Sequence, residues 1–393
     1  MRYYSTGNNS VKIPFREAVI NGIAEDGGLY LPADIPLVPS AFFRNMSEMS
    51  LSDIAYVVLS TFTGDEISSE KLKEIITAVT NYPIPVVSLA GSNLFSAELF
   101  HGPSGSSKDL GVGFMAEFFS IFFNQSTDNK VTILTYSHSD YGLSVAKAFS
   151  KSGKFKVIIV YPKGRITPDL RYRLLNSGTN IIPVEVRGSA ADCLAMMRST
   201  LIDETLRENI ILTSANSINI SSLLPLVIQY FYIMAKMVED GADPDSIVIS
   251  VPCGSLANLS AVLIANQMGL PIKRIVAAYP ETSDVTPINS IRVEDLLKTS
   301  KTPVSSVTIT EDDINTTRNL LKDNYGYEAT DHSCLSAAAL LKDMRSDEYG
   351  AFMATSDPIV KENPMEFQER HESISPTYNA LKRIILNNTN YIK

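Results

Sequence analysis

Tryptophan is missing from the 393 residues, and cysteine and histidine are scarce, at three and four. Cys193, Cys253 and Cys334 stand far apart with no CxxC pair, which excludes a disulfide framework and a zinc ribbon. His101, His138, His332 and His371 lack HExxH or any similar ligand spacing, so no metal site is expected. Basic residues are outnumbered: 34 Lys and Arg face 43 Asp and Glu, for a net charge of −9. No run of consecutive basic residues offsets that balance, which argues against a nucleic-acid partner. Long apolar runs are missing as well. The strongest begins at Leu223, contains Pro225 and Gln229, and at about a dozen residues is too short for a bilayer. It reads as a buried helix. The opening segment has no apolar core of a secretory signal. These absences predict a cytoplasmic protein in reducing surroundings, with no membrane partner.

Hydrophobic residues make up 45% of the chain and charged residues 20%, a globular balance. The first 90 or so residues mix helix and loop. Apolar residues recur at helical spacing over 52–59 and 70–79, and Ser68 supplies a cap for the second. Pro83 and Pro85 then mark an extended boundary. Past it, β-branched runs at 131–135, 155–160 and 180–186 alternate with helical patterns at 142–150 and 168–175. The alternation resumes with strands at 246–251 and 272–278 around a helix at 259–268. Such spacing predicts βαβ units and parallel sheets. The expected architecture is α/β: two parallel-sheet lobes around a cleft, with an N-terminal mixed helical domain. The domains are placed at 1–93 and 94–393, with the smaller lobe at about 120–195. Residues 311–324 read as a helix between Thr310 as N-cap and Gly326 as stop, 333–344 as another, and 281–305 as a polar loop.

Four loops rich in small polar residues carry the chemistry. In the first, 98–109, small residues surround Lys108 just ahead of a helical run. A lysine held there can form a Schiff base with an aldehyde cofactor; taken alone, it reads first as a solvated surface lysine. The second, 251–258, joins a strand to a helix and can offer backbone N–H groups to a phosphate. The third, 137–142, holds Ser137, His138 and Asp140. Neighbours in one turn rarely align as nucleophile, base and orienter, and no GxSxG elbow is present, so a hydrolase is disfavoured. The fourth, 355–358, offers hydroxyls that bind a ligand or cap a turn.

Taken in order, these segments resemble the threonine synthase family, pyridoxal-phosphate enzymes of the tryptophan-synthase-β fold type. The resemblance rests on Tyr3–Thr6, Phe15–Gly22 and Asp26–Pro32 near the start, on Glu98–Pro103 with Lys108 and Asp109, and on Tyr161–Arg165. It continues through Ser214–Ile220, Val251–Gly254 and Gly269–Arg274. It implies a lyase that converts O-phosphohomoserine to threonine and phosphate, acting on a small amino-acid substrate as a monomer or homodimer. Lys108 falls on the family's Schiff-base lysine. Gly254, Ser255, Leu256, Ala257 and Asn258 fall on its cofactor-phosphate loop. Thr355 falls on a hydroxyl near the pyridine nitrogen, and His332 on a family histidine. Ser137, His138, Ser139, Asp140, Tyr141 and Gly142 fall on the loop that cradles the substrate carboxylate. Arg165, Asn216 and Ser217 are its candidate substrate contacts.

The departures fall on the same loops. Ser104–Ser107 replace an apolar Thr-Leu-Ala-Phe. Ser139 stands where the family has glycine, which predicts backbone strain, and His138 and Tyr141 add bulk. Ala257 replaces the second glycine of Gly-Asn-Phe-Gly-Asn. If that position has φ > 0, alanine costs on the order of 1 kcal/mol there. Kept scaffold with rebuilt ligand loops predicts an altered substrate, or a non-catalytic paralog that binds or regulates.

Overall fold

The computed structural model describes residues 1–123, 131–137, 139–281, 287–359 and 373–388. A six-stranded sheet forms the larger lobe, in the order Val304–Ile309, Arg274–Pro280, Ile247–Pro252, Tyr349–Ala354, Leu94–Glu98, Val86–Ser88. All neighbours are parallel except the last pair. Ile247–Pro252 is buried at every position. A parallel strand covered on both faces needs apolar residues throughout, which is why it reads as a continuous run. The smaller lobe is a four-stranded parallel sheet, ordered Ile181–Val186, Phe155–Pro162, Val131–Tyr136, Ile211–Ser214. The two-lobed α/β expectation holds.

Three details differ from the sequence reading. The smaller lobe reaches beyond 195, because Ile211–Ser214 pairs with Val131–Tyr136 and the helix Tyr378–Asn388 packs on the helix Ala190–Leu201. The N-terminal region holds a three-stranded antiparallel sheet of Lys12–Pro14, Arg2–Ser5 and Tyr30–Pro32. Strands of three or four residues are too short to show a period. The supposed loop at 281–305 contains the helix Pro287–Leu297, and the strand Val304–Ile309 begins at its end. Its polarity belongs to a helix that packs on Ala257–Gln267.

Caps form where the sequence placed them. Ser68 accepts from the Lys71 N–H to start Ser69–Val79. Thr310 and Asp313 form a capping box for Glu311–Tyr325, which ends at Gly326 in the left-handed region. The apolar run from Leu223 becomes the helix Leu226–Glu239. The stretch Ile220–Glu239 has the length and hydropathy of a membrane span, yet 89% of its strongest window is buried inside the protein.

One helix anchors the cleft. Asp109–Phe122 puts Phe114, Phe118, Phe119 and Phe122 into the core. Phe118 meets Phe15 edge-on at 5.3 Å, and Phe119 meets Phe149 at 5.8 Å. Each buried ring contributes about 1.5–3 kcal/mol, so the backbone directly after Lys108 is held rigidly between the N-terminal region and the smaller lobe.

Candidate active site

The four loops named above open on one cavity of about 2440 Å³ between the lobes. The first leaves Leu94–Glu98 and delivers Lys108 to the head of Asp109–Phe122. Asp109 shapes it: its carboxylate accepts from the Ser104 N–H at 2.7 Å and the Ser104 hydroxyl at 2.6 Å. Burial pushes the Asp109 carboxyl up, and the Ser104 donors oppose that push. A Cβ on Gly102 would lie 2.5 Å from Asp109 Oδ2, so only glycine fits. The Ser107 N–H donates to the Thr355 carbonyl at 2.9 Å, pinning the lysine segment to the fourth loop. Lys108 lines the cavity, and burial pulls its ammonium below the ordinary lysine range while Asp140 pulls the other way. Easier deprotonation is what an amine nucleophile needs.

Thr355 sits across from it. Its hydroxyl is 2.7 Å from His332 Nδ1, and its N–H donates to the Ser333 hydroxyl at 3.1 Å. His332 presents its ring to the cavity. Desolvation, then the nearby Lys108 charge, bring its pKa down to about 4, so the ring is neutral at pH 7. A Cβ on Gly254 would lie 3.6 Å from His332 Nε2, which places the phosphate loop beside that ring.

That loop turns from Ile247–Pro252 into the helix Ala257–Gln267. The first N–H groups of a helix have no partner within it, so its N-terminus attracts anions. Gly254, Ser255, Ala257 and Asn258 line the cavity there. The strain expected at Ala257 lies one residue earlier. Ala257 is helical, whereas Leu256 sits in the left-handed region at φ 60°, ψ 1°. It is the only non-glycine residue with positive φ among those described. Leu256 is buried and does not line the cavity; its part is to aim the helix start.

In the third loop the Ser137 hydroxyl accepts from the Gly142 N–H at 2.8 Å and the Ser139 N–H at 3.3 Å, and donates to the Ser139 carbonyl at 2.9 Å. Ser137 is therefore a loop clasp, not a nucleophile. A Cβ on Gly142 would lie 2.8 Å from Ser137 Cβ, so glycine is required beside the clasp. Ser139 holds no positive φ, and the strain expected of it is absent. Asp140 accepts a short hydrogen bond from the Ser106 hydroxyl, tying this loop to the lysine segment. Tyr141 lines the cavity. His138 lies outside the described residues.

Asn216 and Ser217 also line the cavity. Asn216 Oδ1 accepts from the Thr135 hydroxyl at 2.8 Å, and its amide donates to the Ser214 hydroxyl at 2.6 Å. Arg165 behaves differently. It sits on the exposed turn after Phe155–Pro162 and is not among the lining residues. Two arginines had no place in the sequence reading. Arg292 is fully buried, with its pKa lowered to about 9 by burial, and donates to the carbonyls of Ser217 at 3.4 Å and Ile218 at 2.7 Å. Arg173 lines the cavity from the helix Pro168–Leu175. A helical pattern with apolar Leu170 and Leu174 predicted that helix but not which polar side chains would face the cleft.

Residues 2–79 match the family model for the threonine synthase N terminus, and residues 78–346 the model for pyridoxal-phosphate dependent enzymes. Threonine synthase from Escherichia coli is 31% identical over 401 residues, covering 95% of this chain and 91% of that protein. Threonine synthase from Buchnera aphidicola of Schizaphis graminum is 30% identical, covering 98% and 100%. The chain belongs to the threonine synthase family. The crystal structure of the Escherichia coli threonine synthase matches its fold with a TM-score of 0.88 at 28% identity, over 98% of this chain and 100% of that one. This member of the threonine synthase family is a pyridoxal-phosphate-dependent enzyme, and its cavity suits that cofactor. A lysine whose amine is easily deprotonated suits the aldehyde, an open helix N-terminus suits the phosphate, and the Thr355 hydroxyl can meet a ring nitrogen.

Proposed function

We propose that this chain is a lyase that converts O-phosphohomoserine and water to threonine and phosphate. The observation that carries the reading is the convergence of Lys108, the open start of Ala257–Gln267 and the Ser137–Gly142 loop on one cavity. Pyridoxal phosphate, when bound, supplies the electron sink for proton removal next to the substrate's amino group. The chain's own residues do the rest. The N–H groups at the start of Ala257–Gln267 would hold the cofactor phosphate, and the Thr355 hydroxyl would serve the pyridine nitrogen. Lys108 would hold the cofactor through its aldehyde, and its amine would move protons at the substrate's α and β carbons. The backbone of the Ser137–Gly142 loop orients the substrate carboxylate. Water adds its oxygen at the β carbon after the γ carbon–oxygen bond breaks and phosphate leaves. The intact Ser137 clasp and the unstrained Ser139 favour a working carboxylate loop over a retired one.

The test is to load the protein with pyridoxal phosphate, record its visible spectrum, and follow phosphate release from O-phosphohomoserine. A visible band that borohydride removes, leaving a label on Lys108, with phosphate release, supports the reading. Lys108→Ala is expected to abolish band and turnover while the fold survives. A folded wild type that takes up no cofactor overturns the reading in favour of a non-catalytic paralog. A band without phosphate release from this substrate refutes the substrate assignment.

A further inference from the structure

A substrate with a phosphate ester as well as a carboxylate needs a cation for the ester, and Lys108 is committed to the cofactor. Three arginines line the cavity besides it: Arg173, Arg198 and Arg207. Arg198 stands beside the N-terminal loop, where a Cβ on Gly27 would lie 3.7 Å from its guanidinium. Arg207 shares the short helix Glu204–Asn209 with the cavity-lining Glu204. Arg173 alone is tied to the lysine segment. Its Nη2 donates to the Ser104 carbonyl at 3.0 Å, and Ser104 is itself clamped by Asp109, the residue after Lys108. Among the described residues its other partner is Asp169, at a long 3.8 Å from Nη1. Two contacts leave donors over in a group that has five, and the side chain is 42% exposed. A guanidinium held at one edge and open at the other is preorganised to fork onto two oxygens of a phosphate.

We propose that Arg173 is the specificity-determining cation of this site, binding the phosphate ester of the substrate; the resemblance offers Arg165 only as a candidate substrate contact. The inference rests on the reading of the chain as an O-phosphohomoserine lyase. An acidic neighbour bears on its selectivity: Asp169 on the same helix repels an anion that does not engage the guanidinium fork.

The experiment uses the cofactor-loaded protein, in which the cofactor's own phosphate fills the helix N-terminus. KM and kcat for O-phosphohomoserine are measured for wild type, Arg173→Gln and Arg173→Lys, together with inhibition and direct calorimetric binding by inorganic phosphate. Loss of a charge-assisted pair is expected to raise KM and the phosphate inhibition constant roughly 10- to 100-fold in Arg173→Gln, with kcat changed only a few-fold. Arg173→Lys keeps the charge without the fork and is expected to recover part of the loss. Unchanged KM and phosphate affinity in Arg173→Gln overturn the proposal, as does a loss that appears in Arg165→Gln instead. If wild type binds inorganic phosphate but does not turn over O-phosphohomoserine, the lyase reading fails. Loss of that phosphate binding in Arg173→Gln then still supports the anion site, and its retention overturns it.

Discussion

Leu256 offers a direct test of where the phosphate loop stores strain. Its left-handed backbone costs an L-residue roughly 1–2 kcal/mol relative to ordinary conformations. Its side chain is 3% exposed and packs in the main core. Leu256→Ala keeps the strain and removes the packing, for a loss of about 2–5 kcal/mol. Leu256→Gly removes the same packing and also the strain. Glycine gives back about 0.4–1 kcal/mol through the greater freedom of its unfolded chain. The net expectation is that Leu256→Gly is more stable than Leu256→Ala by roughly 0.5–1 kcal/mol, although both are less stable than wild type. At an ordinary helical position the order is reversed, with alanine ahead by about that amount. The sign of the difference, read from urea denaturation of the three proteins under identical conditions, therefore reports the backbone alone. Alanine more stable than glycine would refute the assignment of strain to this residue. A matching control is Ala257→Gly. Since Ala257 is helical, that change is expected to destabilise by about 0.5–1 kcal/mol, and a stabilising effect would return the strain to the position where the sequence comparison placed it.

Two further outcomes follow from the geometry. Gly102→Ala drives a methyl group to 2.5 Å from Asp109 Oδ2. The Ser104–Asp109 clamp must open, with an expected loss of about 1–3 kcal/mol in urea denaturation and more than tenfold in kcat/KM; a wild-type kcat/KM removes Asp109 from the positioning of Lys108. His332 gives a pH signature. Its folded pKa, lowered to about 4, lies below its ordinary value of 6.5, so between those limits the unfolded chain binds the extra proton. Its contribution to stability is therefore complete above about pH 6.5 and is lost as pH falls toward 4. Water in the cavity screens the ring, so the loss is smaller than the full shift implies. His332→Gln is expected to shrink the difference between urea midpoints at pH 7 and pH 5. An unchanged difference assigns the acid sensitivity elsewhere.

What could be read from sequence was what obeys a local rule. Ser68, Thr310 and Gly326 announced their helices because capping is settled by neighbours three or four residues away. The buried strand Ile247–Pro252 showed itself as an unbroken apolar run. The helix Pro287–Leu297 did not, because its anchor is Arg292, and a buried arginine looks like any polar residue until its carbonyl partners at Ser217 and Ile218 are in place. Arg165 and Arg173 show the same limit. They lie eight residues apart with the same chemistry, and only the turn of Pro168–Leu175 over the Ser104 loop decides which one meets the cavity.

That distinction changes how the departures from the family pattern are understood. Ser139 and Ala257 stand where the family has glycine, and a glycine lost from a ligand loop reads as a lost conformation. Neither residue here takes a positive φ, so neither substitution damages the backbone. Where a side chain truly cannot fit, glycine is kept: Gly102 faces Asp109 at 2.5 Å, and Gly142 faces Ser137 at 2.8 Å. Among the described residues the frame that aims N–H groups into the cavity is intact, and the strained residue, Leu256, buries its side chain in the core and does not line the cavity. What differs is the cavity's lining. The segment before the lysine has changed from apolar to hydroxyl-bearing at Ser104, Ser106 and Ser107. Two of those hydroxyls are engaged by the carboxylates of Asp109 and Asp140, which rebuilds by hydrogen bonding the rigidity that apolar packing gives elsewhere. The segment that carries Lys108 is thus fastened by two such clamps. A changed wall around an unchanged frame bears on how tightly the anion of the proposed substrate is held, and less on the proton transfers proposed for Lys108. The Arg173 measurements, in which KM and kcat respond separately, are where that difference becomes visible.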